Sequence, residues 1–422
     1  MKKLVLFILL IGLAACRQPE IIYADFTDFH PTKVTESSLV MEDGSLNPEL
    51  QQMANPALTD PQTDNSALGD TLAENPSVRR IASVSYADFA REFLGRYYAN
   101  SVVQIAGTYT GHDIDGSPLT LSGKIIVPRK GSIRQIIVVS HYTIGAYYEA
   151  PSETFPIEAL YAGMGYAVVA PDYLGFGVTR HRIHPYMHAE LTASSVVDLL
   201  LAAQGYLDFI GRAPEDEQVI LMGYSQGGSA TLAALRMLER DYADRVKIKQ
   251  VYCGAGPYEL CALYDYALEK KVIPIPYAIP MIIQGLNEGE RLGLQMQDFL
   301  QPRILEGFDK WVNSKEYNLS EINRMMGTRS IEDILLPEAC DRSVPETAKL
   351  YESLHRNSLL DFTPRAPLFL FHSTTDATIP YDISLLAVKA FRGKSNLRTH
   401  FDDYGAHQSG FLKFVSVVGD EL

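Results

Sequence analysis

"QVILMGYSQGGSATLAALRML", residues 218 to 238, is the stretch on which the fold turns. An apolar run ends at Gly223-Tyr224-Ser225-Gln226-Gly227, and an alanine- and leucine-rich segment at helical spacing follows, so the stretch reads as strand, tight turn, helix. Ser225 sits in the turn. A turn this sharp forces strained dihedrals on the serine and crowds its neighbours, which is why glycine is wanted two positions before and two after. The hydroxyl is thereby pushed to the carboxyl edge of a sheet. The helix behind it presents backbone N–H groups, that of Gln226 first, to any oxyanion formed there. The bland alternative is a serine that only caps a helix in a small-residue turn.

A serine nucleophile needs a base to take its proton, and the base needs an acid to orient it. "LFLFHSTTDATIP" (368–380) puts Asp376 directly after an apolar strand, and "FDDYGAHQSG" (401–410) puts His407 in a glycine-flanked loop near the C-terminus. Asp382, Asp402 and Asp403 are rival acids, and His372 and His400 rival bases. Asp376 is preferred because it follows its strand immediately. Asp402 and Asp403 lie so close to His407 that they read as shaping its loop, and His372 lies inside the strand as a core histidine.

Working outward, seven apolar or alternating runs read as strands: 101–111, 119–128, 134–142, 166–175, 217–225, 248–256 and 366–376. "DIDGSP" (113–118) joins the first two as an antiparallel hairpin. From the third onward, helical patterns such as "PIEALYAGM" (156–164) and "ELTASSVVDLLLAAQGYLDFIG" (190–211) separate most of them, and the later strands are too uniformly apolar to have a wet face. That predicts a mostly parallel sheet covered by helices on both sides, an α/β fold. The alternation stops after Pro257 and resumes at Ala366. The roughly 110 residues between are too many for a loop, and predict a helical cap over 258–365 inserted between core segments 85–257 and 366–422.

The N-terminus reads differently. "MKKLVLFILLIGLAAC" has a positive start and an apolar stretch shorter than the roughly 20 residues of a spanning helix, so residues 1–16 predict a signal peptide. Leu13-Ala14-Ala15-Cys16 resembles the lipobox of bacterial lipoproteins, which implies lipidation of Cys16 and a body held on a membrane outside the cytoplasm. Arg17, rather than an aspartate, is similar to lipoproteins sent to an outer membrane in a diderm cell. Loss of the leader leaves 35 basic against 51 acidic residues, a formal charge of −16, which argues against nucleic acid as a partner. Residues 17–84 are polar and aperiodic from Pro31 to about Val78 and predict a tether or an N-terminal arm. "SYADFAREFLGRYY" (85–98) predicts a capped helix opening the folded body. Of Cys253, Cys261 and Cys340, one pair is free to form a disulfide in an oxidising compartment, Cys261 with Cys340 by preference.

Taken together, "SHYTIG", "APDYLGFG", "HPYMHAE", "GYSQGG", "HSTTD" and "GAH", in this order over roughly Gln104 to Leu412, resemble the secretory lipase group of the α/β-hydrolase superfamily. The resemblance implies carboxylic ester hydrolysis, a cap over an apolar acyl pocket, and the triad order Ser225, Asp376, His407. It also implies a second oxyanion donor after the third strand. Relatives carry His-Gly there, whereas this chain has His141-Tyr142, so the donor is the backbone N–H of Thr143, or of Tyr142 if the loop shifts by one. Asp172 precedes the serine and is structural in that pattern. His181, His184 and His188 have a spacing that could hold a metal, but Pro185 interrupts any helix that would align them.

The reading is a serine esterase or lipase acting on a small-molecule or lipid ester through an acyl-enzyme, with no metal or organic cofactor needed. Two alternatives share its residues: a peptidase or a polysaccharide acyl esterase with the same triad. A surface lipoprotein that uses the fold only for binding is the alternative outside enzymes.

Overall fold

The computed structural model describes residues 29–39, 41, 47, 49, 101–393 and 396–422. The leader, Cys16 and the helix expected over 85–98 lie outside the described residues. Nine strands form one sheet: β1 (His30–Ser38), β2 (Ser101–His112), β3 (Pro118–Pro128), β4 (Ile136–Ser140), β5 (Ala167–Pro171), β6 (Val219–Tyr224), β7 (Ile248–Gly254), β8 (Leu368–Ser373) and β9 (Leu397–Asp402). Their order is β1-β2-β3-β5-β4-β6-β7-β8-β9. The first four in that order pair antiparallel, and from β5 to β9 the sheet is parallel.

The parallel strands β4, β5, β6 and β8 are buried along their whole length because both of their faces are covered. On β4, Ile136 and Val138 face one cluster with Val169, Leu221, Val251 and Leu370, closed by Leu199 and Leu200 of α1 (Ala189–Phe209) and Leu232 and Leu235 of α2 (Gln226–Asp241). Ile137 and Val139, the alternate residues, face a second cluster with Met222, Phe371, Tyr161, Phe414 and Val418. Between β7 and β8 the chain builds α3 (Leu260–Lys270), α4 (Ala278–Glu290), α5 (Pro302–Phe308), α6 (Leu319–Met326) and α7 (Pro345–Asn357). They share a core of their own, including Ile283, Leu286, Phe299, Ile304, Ile322 and Leu350. Helices α8 (Tyr381–Phe391) and α9 (His407–Glu421) complete the chain.

Two strands escaped the pattern reading. β1, "HPTKVTESS", is largely exposed and has no apolar alternation, so its ladder to β2 and the buried residues flanking it, Phe29 and Leu39, hold it in place. It lies in the span read as tether or arm. β9 is likewise a partly exposed edge strand. The disulfide expectation is corrected, since Cys253, Cys261 and Cys340 are all free thiols. Cys253 is buried in β7, whereas the Cys261 sulfur points to the Tyr351 carbonyl and the Cys340 sulfur to that of Leu336. No helix among the described residues is long and apolar enough to cross a membrane.

Candidate active site

Ser225 stands between β6 and α2 with φ 58° and ψ −125°, a left-handed conformation that side chains rarely adopt. Its N–H donates to the Gly254 carbonyl at 2.9 Å, which ties the turn to the neighbouring strand. The flanking glycines answer to space. A Cβ on Gly223 would lie 2.2 Å from the Gly227 oxygen, and one on Gly227 would lie 2.0 Å from the Ser140 oxygen. The turn is therefore pressed against the end of β4, where the loop 141–146 begins.

Asp376 follows β8 and is 6% exposed. Its Oδ1 accepts the N–H groups of Thr378 (2.8 Å) and Ile379 (3.0 Å), and its Oδ2 accepts Nδ1–H of His407 at 2.5 Å. Burial alone would raise its pKa, but the facing His407 and the hydrogen bonds from His372 and His407 outweigh it and hold the carboxyl below its usual range. His407 opens α9 and donates from Nδ1, so its Nε2 is the face left for a proton. That atom is buried with no hydrogen-bond partner among the described residues. The imidazole is held from behind: Tyr224 donates its hydroxyl to the His407 carbonyl at 2.8 Å, with ring centroids 5.0 Å apart. The approach loop is fixed by Ser373, which donates to the Gly405 carbonyl at 2.6 Å and accepts the Tyr404 N–H at 3.0 Å.

The rivals are occupied elsewhere. Asp403 accepts from Thr375 (2.7 Å) and from the Gly405 N–H (3.0 Å), and Asp402 accepts the N–H of Asp403 (2.8 Å). Both shape the loop. Asp382 lies in the first turn of α8. His400 is stacked with Phe371 and Tyr404. His372 is fully buried, with its Nδ1 2.6 Å from the Ser384 hydroxyl and its Nε2 3.0 Å from the Ile379 carbonyl.

On the oxyanion side, Gln226 begins α2, where the first N–H groups have no intrahelical acceptor. Its side chain donates to Nε2 of His184 at 2.9 Å, and His184 donates from Nδ1 to the Leu174 carbonyl at 2.6 Å. Burial lowers the His184 pKa to about 3, so the ring is neutral and serves as an acceptor. His184 is thus a buttress and not a metal ligand. His188 caps α1, accepting the Leu191 N–H at 3.2 Å, and His181 is exposed. Sequence reasoning could not have found the His184 contact, because 42 residues separate the partners and no local pattern marks them. Thr143 hydrogen-bonds the Tyr186 hydroxyl through Oγ1 at 2.9 Å. His141 donates from Nδ1 to the Tyr142 carbonyl at 2.6 Å and stacks on Tyr173 at 4.0 Å. Asp172 is wholly buried, and its carboxylate accepts from the Ser122 hydroxyl (2.6 Å) and the Ser152 N–H (2.7 Å) as a loop brace.

Ser225, Gln226, Tyr142, Thr143 and His407 all line one cavity of about 150 Å³, whose other walls come from α3, α4, α6 and the segment 273–277 and are mostly apolar. A second, polar cavity of about 490 Å³ shares Tyr142 but touches none of the other four. The candidate triad serine and histidine and the candidate oxyanion donors thus meet in the first.

The model of the secretory lipase family matches residues 149–410, more than half of the chain. No curated protein matches the chain in sequence. Among solved structures, the rice cell wall degrading esterase LipA of Xanthomonas oryzae aligns with a TM-score of 0.69 at 22% identity, over 79% of this chain and 94% of that one. Candida antarctica lipase A in its closed state aligns at 0.60 and 14% identity, over 92% and 82%. A Legionella pneumophila structure aligns at 0.70 and 23%, over 78% and 90%. At these identities the likeness shows the fold, and the family model adds the class: the chain belongs to the secretory lipase family, carboxylic ester hydrolases of the α/β-hydrolase fold.

Proposed function

We propose that the chain cleaves carboxylic esters through a Ser225–His407–Asp376 triad and an acyl-enzyme. The observation that carries this reading is the pairing of His407 Nδ1 with Asp376 at 2.5 Å, with Nε2 left without a partner among the described residues, while His407 lines the same cavity as the strained Ser225. His407 Nε2 takes the Ser225 proton as Oγ attacks the ester carbonyl carbon. The tetrahedral oxyanion is met by the Gln226 backbone N–H and by that of Thr143, with Tyr142 as the alternative donor. Collapse breaks the C–O bond, and His407 hands its proton to the departing alcohol. Water then repeats the attack on the acyl-Ser225 ester and frees the acid. Asp376 keeps the imidazole in one tautomer and balances its charge. The mostly apolar walls beside Ser225 support an acyl chain as occupant.

The same proposal includes a lipid anchor at Cys16 that keeps the body at the cell envelope, outside the cytoplasm. The test is hydrolysis of p-nitrophenyl esters from acetate to palmitate beside Ser225→Ala. A loss of about 10³-fold or more in kcat supports the nucleophile. Equal activity in the folded variant refutes it.

A further inference from the structure

The cavity at Ser225 has an anomaly in its cap wall. Ser320 Oγ and Asn323 Oδ1, both on α6 and both lining the cavity, are buried and have no hydrogen-bond partner among the described residues. Ser320 is 5% exposed. A buried helical serine usually returns its hydroxyl to the carbonyl three or four residues back. Ser194 and Ser195 of α1 both do so, to Leu191 at 3.0 Å, and Ser358 after α7 does so to Leu354 at 3.1 Å. Ser320 does not. The polar residues beside it are satisfied: Asn318 Oδ1 accepts the Glu321 N–H at 3.0 Å and Glu321 Oε2 accepts the Asn318 N–H at 2.9 Å.

Positions 320 and 323 lie one turn apart on one helix face, so the two residues line the same side of the cavity. The helix is seated firmly on the oxyanion loop. A Cβ on Gly145 would fall 2.6 Å from the Tyr317 oxygen and 3.1 Å from Ile322 Cδ1. The pair is therefore held in fixed relation to the catalytic serine. For a plain alkyl chain these atoms are a penalty, because each stays desolvated and unpaired.

We propose that Ser320 and Asn323 form a hydroxyl-reading subsite, and that the preferred ester carries a free hydroxyl group away from its scissile bond. Such a hydroxyl donates to Asn323 Oδ1 and accepts from the Ser320 hydroxyl, satisfying both with one group. This rests on the serine esterase reading and deepens it, by naming a polar feature of the substrate that the apolar walls do not suggest. The hydroxyl belongs either to the alcohol part, as in a monoacylglycerol, or to a hydroxylated acyl chain.

The full chain in mild detergent is assayed on two matched pairs: glycerol monobutyrate against propyl butyrate, and methyl 6-hydroxyhexanoate against methyl hexanoate. The expected result is a kcat/KM about tenfold or more higher for the hydroxylated member of one pair, and which pair responds identifies the side of the ester. Ser320→Ala combined with Asn323→Leu brings that ratio close to one. It also raises Tm, since it removes two unpaired buried polar atoms and introduces better helix formers. Ser353→Ala, which removes another unpartnered buried hydroxyl on the cap but outside the cavity, leaves the ratio unchanged. The proposal is overturned if neither pair is discriminated, or if the double variant keeps the preference. Hydrolysis of p-nitrophenyl butyrate that is lost in Ser225→Ala is the control. With it present, failure to discriminate removes the subsite alone, and without it the esterase reading itself falls.

Discussion

Two histidines approach one oxygen of Asp376: His407 Nδ1 stands 2.5 Å from Oδ2, and His372 Nε2 stands 3.4 Å from the same atom. Only the first is free to act as a base, because His372 is enclosed and engaged by Ser384 and Ile379. Asp376→Asn should therefore lower kcat by about 10⁴-fold, with KM little changed, because the imidazole loses its orienting acceptor and settles in the wrong tautomer. Asp402→Asn and Asp403→Asn should cost far less. A variant Asp376→Asn that keeps most of its activity on p-nitrophenyl butyrate would mean that the acid lies elsewhere.

Stability should fall as pH drops below neutrality. Burial lowers His141 to about 4 and His184 to about 3, whereas both titrate near 6.5 in the unfolded chain. From pH 6.5 downward the unfolded state binds protons that the folded state refuses, so stability present above 6.5 is lost progressively until the folded values are reached. Between pH 7 and pH 5 the loss is about 2 kcal/mol for each ring, read from urea midpoints. His184→Gln should shrink this drop. Glu158, which burial raises to about 7, acts in the opposite sense over the same range, so an equal drop in wild type and His184→Gln is the outcome that would contradict the burial of this ring.

Gly227→Ala tests the crowding of the nucleophile turn. Its Cβ meets backbone, the Ser140 oxygen at 2.0 Å, and not the flexible end of a side chain, so either α2 or the oxyanion loop must shift. A displacement of about 1 Å at the reacting groups costs on the order of 10²-fold in rate. The expected variant folds with a lowered Tm and loses kcat. Wild-type kinetics in Gly227→Ala would show that the turn is looser than drawn.

The thiols give a chemical check on the cap. With Cys253, Cys261 and Cys340 all free, a reductant should leave Tm unchanged. A thiol reagent should modify the exposed Cys340 first, the half-buried Cys261 more slowly, and Cys253 only on unfolding, where burial no longer pushes its thiol up. A Tm that drops on reduction would reinstate the disulfide.

Features governed by local rules were legible in the chain before any fold was known. The strand, Gly223, Ser225, Gly227 and helix succession is set by sterics within five residues, and the parallel strands announce themselves by being apolar on both faces. Asp376 could be placed because it directly follows such a strand. Contacts across the fold decided the rest. β1 exists because β2 offers its edge, not because "HPTKVTESS" prefers extension. Gln226 is braced by His184 from 42 residues away, His407 is held from behind by the Tyr224 hydroxyl, and Ser320 and Asn323 stand out because packing buries their polar atoms and gives them no partner among the described residues. A hydrogen bond between distant residues depends on where the chain brings them, and composition or periodicity around either partner carries no trace of it.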